Sequence, residues 1–128
     1  MSFSTVELCA GGGGQVLGLE MAGLHHEDLV EYEHHFCTTL RKNRPHWNTC
    51  EEDIRHFHGE RYASIDLLAG GVPCPPFSIA GKQLEADDER DMFPAAMSLV
   101  ERIKPRAVML ENVTGLVSKL NAARFRRN

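Results

Sequence analysis

Thr5-Val6-Glu7-Leu8-Cys9-Ala10-Gly11-Gly12-Gly13-Gly14-Gln15-Val16-Leu17-Gly18-Leu19-Glu20-Met21 is the stretch on which the fold turns. Thr5 to Cys9 makes a short strand-like run, a block of glycines breaks it, and Val16, Leu17, Leu19 and Met21 resume at helical spacing. That reads as strand, glycine loop and helix. Working outward, Asp28-Leu29-Val30-Glu31 gives a second strand. His34 to Arg44 gives a second helix, stopped by Pro45, which has no N–H to donate and clashes with the preceding turn. A short third strand is predicted near Trp47 to Glu51, with Asp53 at its carboxyl end. Ser64 to Ala69 is a fourth strand that runs into a stiff loop, Gly70-Gly71-Val72-Pro73-Cys74-Pro75-Pro76-Phe77-Ser78. After the polar stretch from Lys82 to Arg90 come a helix, Met92 to Ile103, and a fifth strand, Ala107 to Leu110, ending at Glu111-Asn112. Strands alternating with helices imply an α/β fold with a parallel sheet built from right-handed crossovers and flanked by helices.

With 128 residues, 42% hydrophobic and 25% charged, the chain has the makeup of one domain with one core. The formal charge is -4, so the chain as a whole lacks the basic footprint usual in nucleic-acid binders. Residues 118–128 are the exception, carrying Lys119, Arg124, Arg126 and Arg127 with no acid, which leaves residues 1–117 at -8. Polyanion contacts are expected in that tail. No apolar stretch approaches the ~20 residues of a membrane span and no signal-peptide pattern opens the chain, so a cytoplasmic protein is expected. Cys9, Cys37, Cys50 and Cys74 lack C-x-x-C spacing and read as free thiols in a reducing compartment. The pairs His25/His26, His34/His35 and His56/His58 have no cysteine partners nearby and read as surface histidines, so no metal site is expected.

In an open parallel sheet ligands bind beyond the carboxyl ends of the strands, and these positions are chemically loaded here. Cys9, the last residue of the first strand, is followed by Ala10, Gly11, Gly13 and Gly14. These glycines let a ligand approach the backbone and the amino end of a helix; the plain alternative is a flexible turn. Glu31 ends the second strand 20 residues after Gly11, the separation at which nucleotide folds place an acid on ribose hydroxyls. Tyr32 is either a ring for purine stacking or a core residue. Asp53 either accepts from an exocyclic amine or is a helix cap, with Ile54 beside it to cover a ring. Together they outline a site for an adenosine-containing cofactor. Prolines on both sides of Cys74 fix its backbone at a strand end, as a nucleophilic thiol requires. Glu111 either shares that pocket and handles a proton or is a solvated acid at the strand end.

These residues resemble, in order and across nearly the whole chain, the DNA (cytosine-5)-methyltransferases. Glu7 to Gly14 is similar to the family's cofactor loop, Glu31-Tyr32-Glu33 to its ribose-acid motif, and Glu52-Asp53-Ile54 to its adenine motif. Pro73-Cys74-Pro75-Pro76-Phe77-Ser78 resembles the nucleophile loop and Glu111-Asn112-Val113 the acid motif. The resemblance implies a Rossmann-like S-adenosylmethionine-dependent fold and S-adenosylmethionine as cofactor, bound in part by Pro73. It implies double-stranded DNA with a flipped cytosine as substrate, since ring carbons are inaccessible in a stacked duplex. Cys74 would then add to C6, Glu111 would contact N3, and Asn112 would order the pocket.

Two residues depart from the pattern: Cys9 stands where phenylalanine is usual and Pro75 where glutamine is common. The motifs found are those of the family's N-terminal catalytic portion, placed in residues 1–117 ahead of the basic tail 118–128. The sheet is therefore expected to be incomplete, and completed by a second polypeptide or by self-association. A non-catalytic S-adenosylmethionine-binding module that regulates a partner is the alternative function.

Overall fold

The computed structural model describes residues 1–73 and 91–112. Cys74, the rest of its proline-bounded loop, the polar stretch to Arg90, Val113 and the basic tail lie outside the described residues. The elements run β1 (Ser4–Leu8), α1 (Gly14–Met21), β2 (His25–Glu31), α2 (His34–Asn43), β3 (Thr49–Glu51), a 3-10 turn (Glu60–Tyr62), β4 (Leu67–Gly71), α3 (Phe93–Ile103) and β5 (Ala107–Glu111). The strands form one five-stranded sheet in the order β3-β2-β1-β4-β5, every pair parallel. This is a Rossmann-like arrangement.

Strand alternation sorts the core onto the two faces of the sheet. Val6, Leu8, Val30 and Leu68 pack on one face with Ala96, Leu99 and Ile103 of α3. Leu29 faces the other way, against Val16 of α1, Leu40 of α2 and Trp47. Helix α3 is started by Pro94 in its first turn, where the missing N–H costs nothing. Helix α2 gives way at Arg44, one residue before Pro45.

The expected bounds of four strands are corrected. β1 runs Ser4–Leu8, not Thr5 to Cys9, since Cys9 turns out of the strand at φ 54. β2 begins at His25, because the register with β1 continues past a bulge between Thr5 and Val6. β3 starts only at Thr49, since Trp47 is turned back by its N–H bond to Arg44 and buries its ring in the α1–α2 core. β4 begins at Leu67, not Ser64, and runs on through Gly70 and Gly71, which the sequence places in the loop. Ser64 sits at φ 62 and the Asp66 carboxylate is turned to Ser4 and Arg106, so neither extends the ladder.

Gly70 belongs inside the sheet because β4 approaches β1 so closely there: a Cβ at this position would lie 2.7 Å from the Leu8 carbonyl oxygen. Gly70→Ala is expected to cost about 2 kcal/mol, as overpacking of a backbone contact does. Chemical denaturation of the two proteins measures it, and an unchanged midpoint would show that β1 and β4 can separate at no cost.

Candidate functional site

The chain leaves β1 to build β2 and β3 on one side, then returns to build β4 and β5 on the other. The crevice between the carboxyl ends of β1 and β4 is thus the switch point at which open α/β sheets bind ligands. The glycine loop leaves β1 there, and the Val72-Pro73 exit leaves β4 beside it, with Leu8 paired to Gly70.

The glycine loop is shaped by left-handed backbone. Cys9, Gly11 and Gly13 have φ of 54, 58 and 90. At Gly13 a side chain is excluded twice over, by that φ and by Leu40, whose Cδ2 would be 2.8 Å from a Cβ. Gly13 N–H donates to the Ala10 carbonyl, and Ala10 N–H reaches across to Val30, so the loop is tied to β2 as well as to β1. Glu31, at the end of β2, is buried, and its Oε1 accepts the Gly11 N–H at 2.8 Å. The 20-residue separation read in the sequence is therefore a direct contact.

Tyr32 is 66% exposed, which removes the core alternative and leaves its ring open beside Glu31. Asp53 is engaged otherwise than expected. Its oxygens accept the Arg55 backbone N–H at 2.8 Å and Arg55 guanidinium bonds as short as 2.6 Å, which hold the carboxyl below the usual carboxylate range. It also opens a turn, with its carbonyl accepting from His56 and Phe57; no helix starts there, so the helix-cap alternative is corrected to a turn. Ile54 lies in the α3-side core, under the strand ends.

On the other side of the switch point, β5 fixes the way out of β4. Glu111 pairs with Gly71, and a Cβ on Gly71 would meet the Glu111 Oε2 at 3.3 Å, so the glycine leaves that carboxylate its room. The Asn112 amide donates to the Val72 carbonyl at 2.6 Å. The Pro73 carbonyl, in turn, accepts the Met92 N–H at 3.0 Å, which ties the end of β4 to the start of α3. Glu111 and Asn112 thus stand where the Cys74 segment leaves the sheet.

A buried carboxyl was not singled out as such from the sequence. Glu7 in β1 is 1% exposed with Oε2 unpartnered, and burial pushes its pKa up from 4.5 to about 7. Its only sequence signal is an acid inside an otherwise apolar strand. His26 is also corrected: its ring packs edge-on against Trp47, with Nε2 at 2.9 Å from the Val16 carbonyl, and burial lowers its pKa. Among the described residues no helix is long and apolar enough to cross a membrane.

Comparison with known proteins accounts for this arrangement. The family of C-5 cytosine-specific DNA methylases matches residues 3–127, and the chain belongs to it. Over 117 residues it is 62% identical to the Type II methyltransferase M.NgoMIV of Neisseria gonorrhoeae, covering 91% of this chain and 38% of that protein. It is 52% identical to the Type II methyltransferase M.NaeI of Lentzea aerocolonigenes, covering 90% of this chain and 29% of that protein. The chain therefore spans about a third of the length of these relatives. Its fold matches that of a prophage-encoded DNA modification methyltransferase of E. coli with a TM-score of 0.79, at 28% identity over 95% of this chain and 35% of the other. Spodoptera frugiperda DNMT2 shares the fold at a TM-score of 0.71 and 23% identity, over 94% of this chain and 39% of the other.

Proposed function

We propose that the chain forms the cofactor-binding and nucleophile-bearing half of an enzyme that methylates C5 of cytosine in DNA. The observation that carries this reading is the meeting at one switch point of the Gly11–Glu31 contact and the Asn112–Val72 contact, one beside each loop the chemistry needs. S-adenosylmethionine fits the first. Glu31 offers a carboxylate with free lone pairs to ribose hydroxyls, Tyr32 an open ring to adenine, and Gly11 to Gly14 a backbone that a ligand can approach. Asp53 would accept from the adenine amine in exchange for one of its Arg55 bonds, beside Ile54, and Pro73 would border the methionine end together with Cys9 and Ala10. When bound, the cofactor supplies an electrophilic methyl group.

The chain's own residues do the rest. The Cys74 thiolate adds to C6 of a cytosine flipped out of duplex DNA, which moves electron density to C5. Glu111, as the acid, holds a proton at N3 and so stabilises the adduct. Asn112 fixes the Val72 carbonyl and with it the start of the Cys74 segment. After C5 has been methylated, loss of the C5 proton returns the electron pair and expels the thiolate. The basic tail 118–128 supplies phosphate contacts. A second polypeptide, or a second copy, covers β5, where Val108 is 44% and Met109 38% exposed.

Transfer of labelled methyl groups from S-adenosylmethionine to DNA, with the chain alone and with any polypeptide encoded beside it, tests the activity. Calorimetry with S-adenosylhomocysteine tests the site. Binding is expected, weakened at least about tenfold in Glu31→Ala by loss of charge-assisted hydrogen bonds. No heat at millimolar ligand, or an affinity indifferent to Glu31, would rule out the cofactor site, and binding without any methyl transfer in either setting would favour the non-catalytic module.

A further inference from the structure

Glu31 is bonded at both ends. Its Oε1 accepts the Gly11 N–H at 2.8 Å and its Oε2 the Glu33 N–H at 2.6 Å, so a single carboxylate joins the loop after β1 to the loop after β2. Its main-chain carbonyl accepts the Glu52 N–H at 2.9 Å, just past β3, and the Cys37 thiol of α2 at 3.3 Å. Burial pushes the Cys37 pKa up to about 11, which keeps that thiol protonated and able to donate. The residue is thereby held from β3 and α2 while its side chain holds the glycine loop.

A ligand role alone does not call for this arrangement. An acid that only received ribose hydroxyls would have no need to grip Gly11, whose left-handed φ of 58 helps set the course of the loop. Nor do the two roles compete, because each carboxylate oxygen has two acceptor directions, and Gly11 takes one on Oε1 and Glu33 one on Oε2. We propose that Glu31 is also the positioning residue of the glycine loop, a strut that sets the loop's shape before any cofactor binds. The ordering is then built in beforehand and is not charged against affinity. Its consequence for binding rests on the cofactor reading; the strut itself does not.

The test is amide hydrogen exchange without added cofactor, on wild type, Glu31→Ala and Glu31→Gln. Leu29 N–H, bonded to Asn48, reports on the fold. In Glu31→Ala the Gly11 and Glu33 amides are expected to exchange at least about tenfold faster while Leu29 is unchanged. Glu31→Gln keeps the shape but replaces one acceptor by a donor, so only one of the two amides should stay protected. Gly11 protection unchanged in both variants would overturn the strut. A second arm uses a 2′,3′-dideoxy analogue of S-adenosylhomocysteine, which has no ribose hydroxyls for Glu31 to contact. Weaker binding of this analogue to Glu31→Ala supports positioning, whereas a loss confined to the hydroxyl-bearing ligand means Glu31 acts by contact alone. If wild type binds neither ligand, the cofactor reading fails while the exchange result still decides the strut.

Discussion

Replacing Cys74 with serine is expected to abolish covalent capture of DNA containing 5-fluorocytosine by a DNA-methylating preparation of the protein, and to leave binding of S-adenosylhomocysteine unchanged. Fluorine at C5 cannot leave as a cation, so the adduct stalls on whichever residue attacked C6. A serine hydroxyl without an activating base is a far poorer nucleophile near neutrality than a thiolate. The other thiols are poor rivals. Burial pushes Cys37 and Cys50 up to about 11, which leaves roughly one thiol in ten thousand ionised at neutral pH. Cys37 is moreover committed to the Glu31 carbonyl. Glu111→Gln should slow methylation strongly with cofactor binding intact, because its carboxylate stands at the β4 exit and not in the glycine loop. An adduct retained in Cys74→Ser, or mapped by peptide analysis to Cys9, would show that the nucleophile has been misassigned.

Most of the architecture was legible because the chain's local signals agree with one another. The glycine block and Pro45 mark a helix start and a helix stop by backbone chemistry alone, and each of the five predicted strands is present. The misplaced bounds of β2 and β4 are set by partners distant in sequence, whereas β3 starts late because the Trp47 N–H turns back to the nearby Arg44 carbonyl. Gly70 reads as a loop residue until β1 lies 2.7 Å from where its Cβ would be, and Asp66 reads as strand until Ser4 and Arg106 claim it. The site divides in the same way. Glu31 was legible from its spacing to Gly11, since that spacing follows from strand and helix lengths. That Arg55 engages Asp53 depends on side-chain geometry, and so does the burial of the Glu7 carboxyl without a partner. No pattern of residue types records either.

That buried carboxyl gives the largest expected effect on stability. Glu7 pairs with Leu29 and Ala69 across β1, so its side chain faces the apolar α1–α2 side of the sheet. Burial raises its pKa from 4.5 to about 7, so between those values the native state holds the proton more tightly than the unfolded chain. The stability this proton contributes is fully present below about pH 4.5 and is lost as pH rises through about 7; the whole interval is worth about 3 kcal/mol. Glu7→Gln keeps the volume and removes the ionisation. Denaturant unfolding of both proteins is therefore expected to give similar stabilities at about pH 5, and a variant about 2–3 kcal/mol more stable than wild type at about pH 8. Asp53 and Asp66, whose pKa values are lowered by Arg55 and by Ser4 with Arg106, lose stability only at acid pH and do so in both proteins, so they cancel from the difference. A gap between the two proteins that does not change from pH 5 to pH 8 would mean that Glu7 ionises as it does in water, and that β1 admits a solvated charge at its centre.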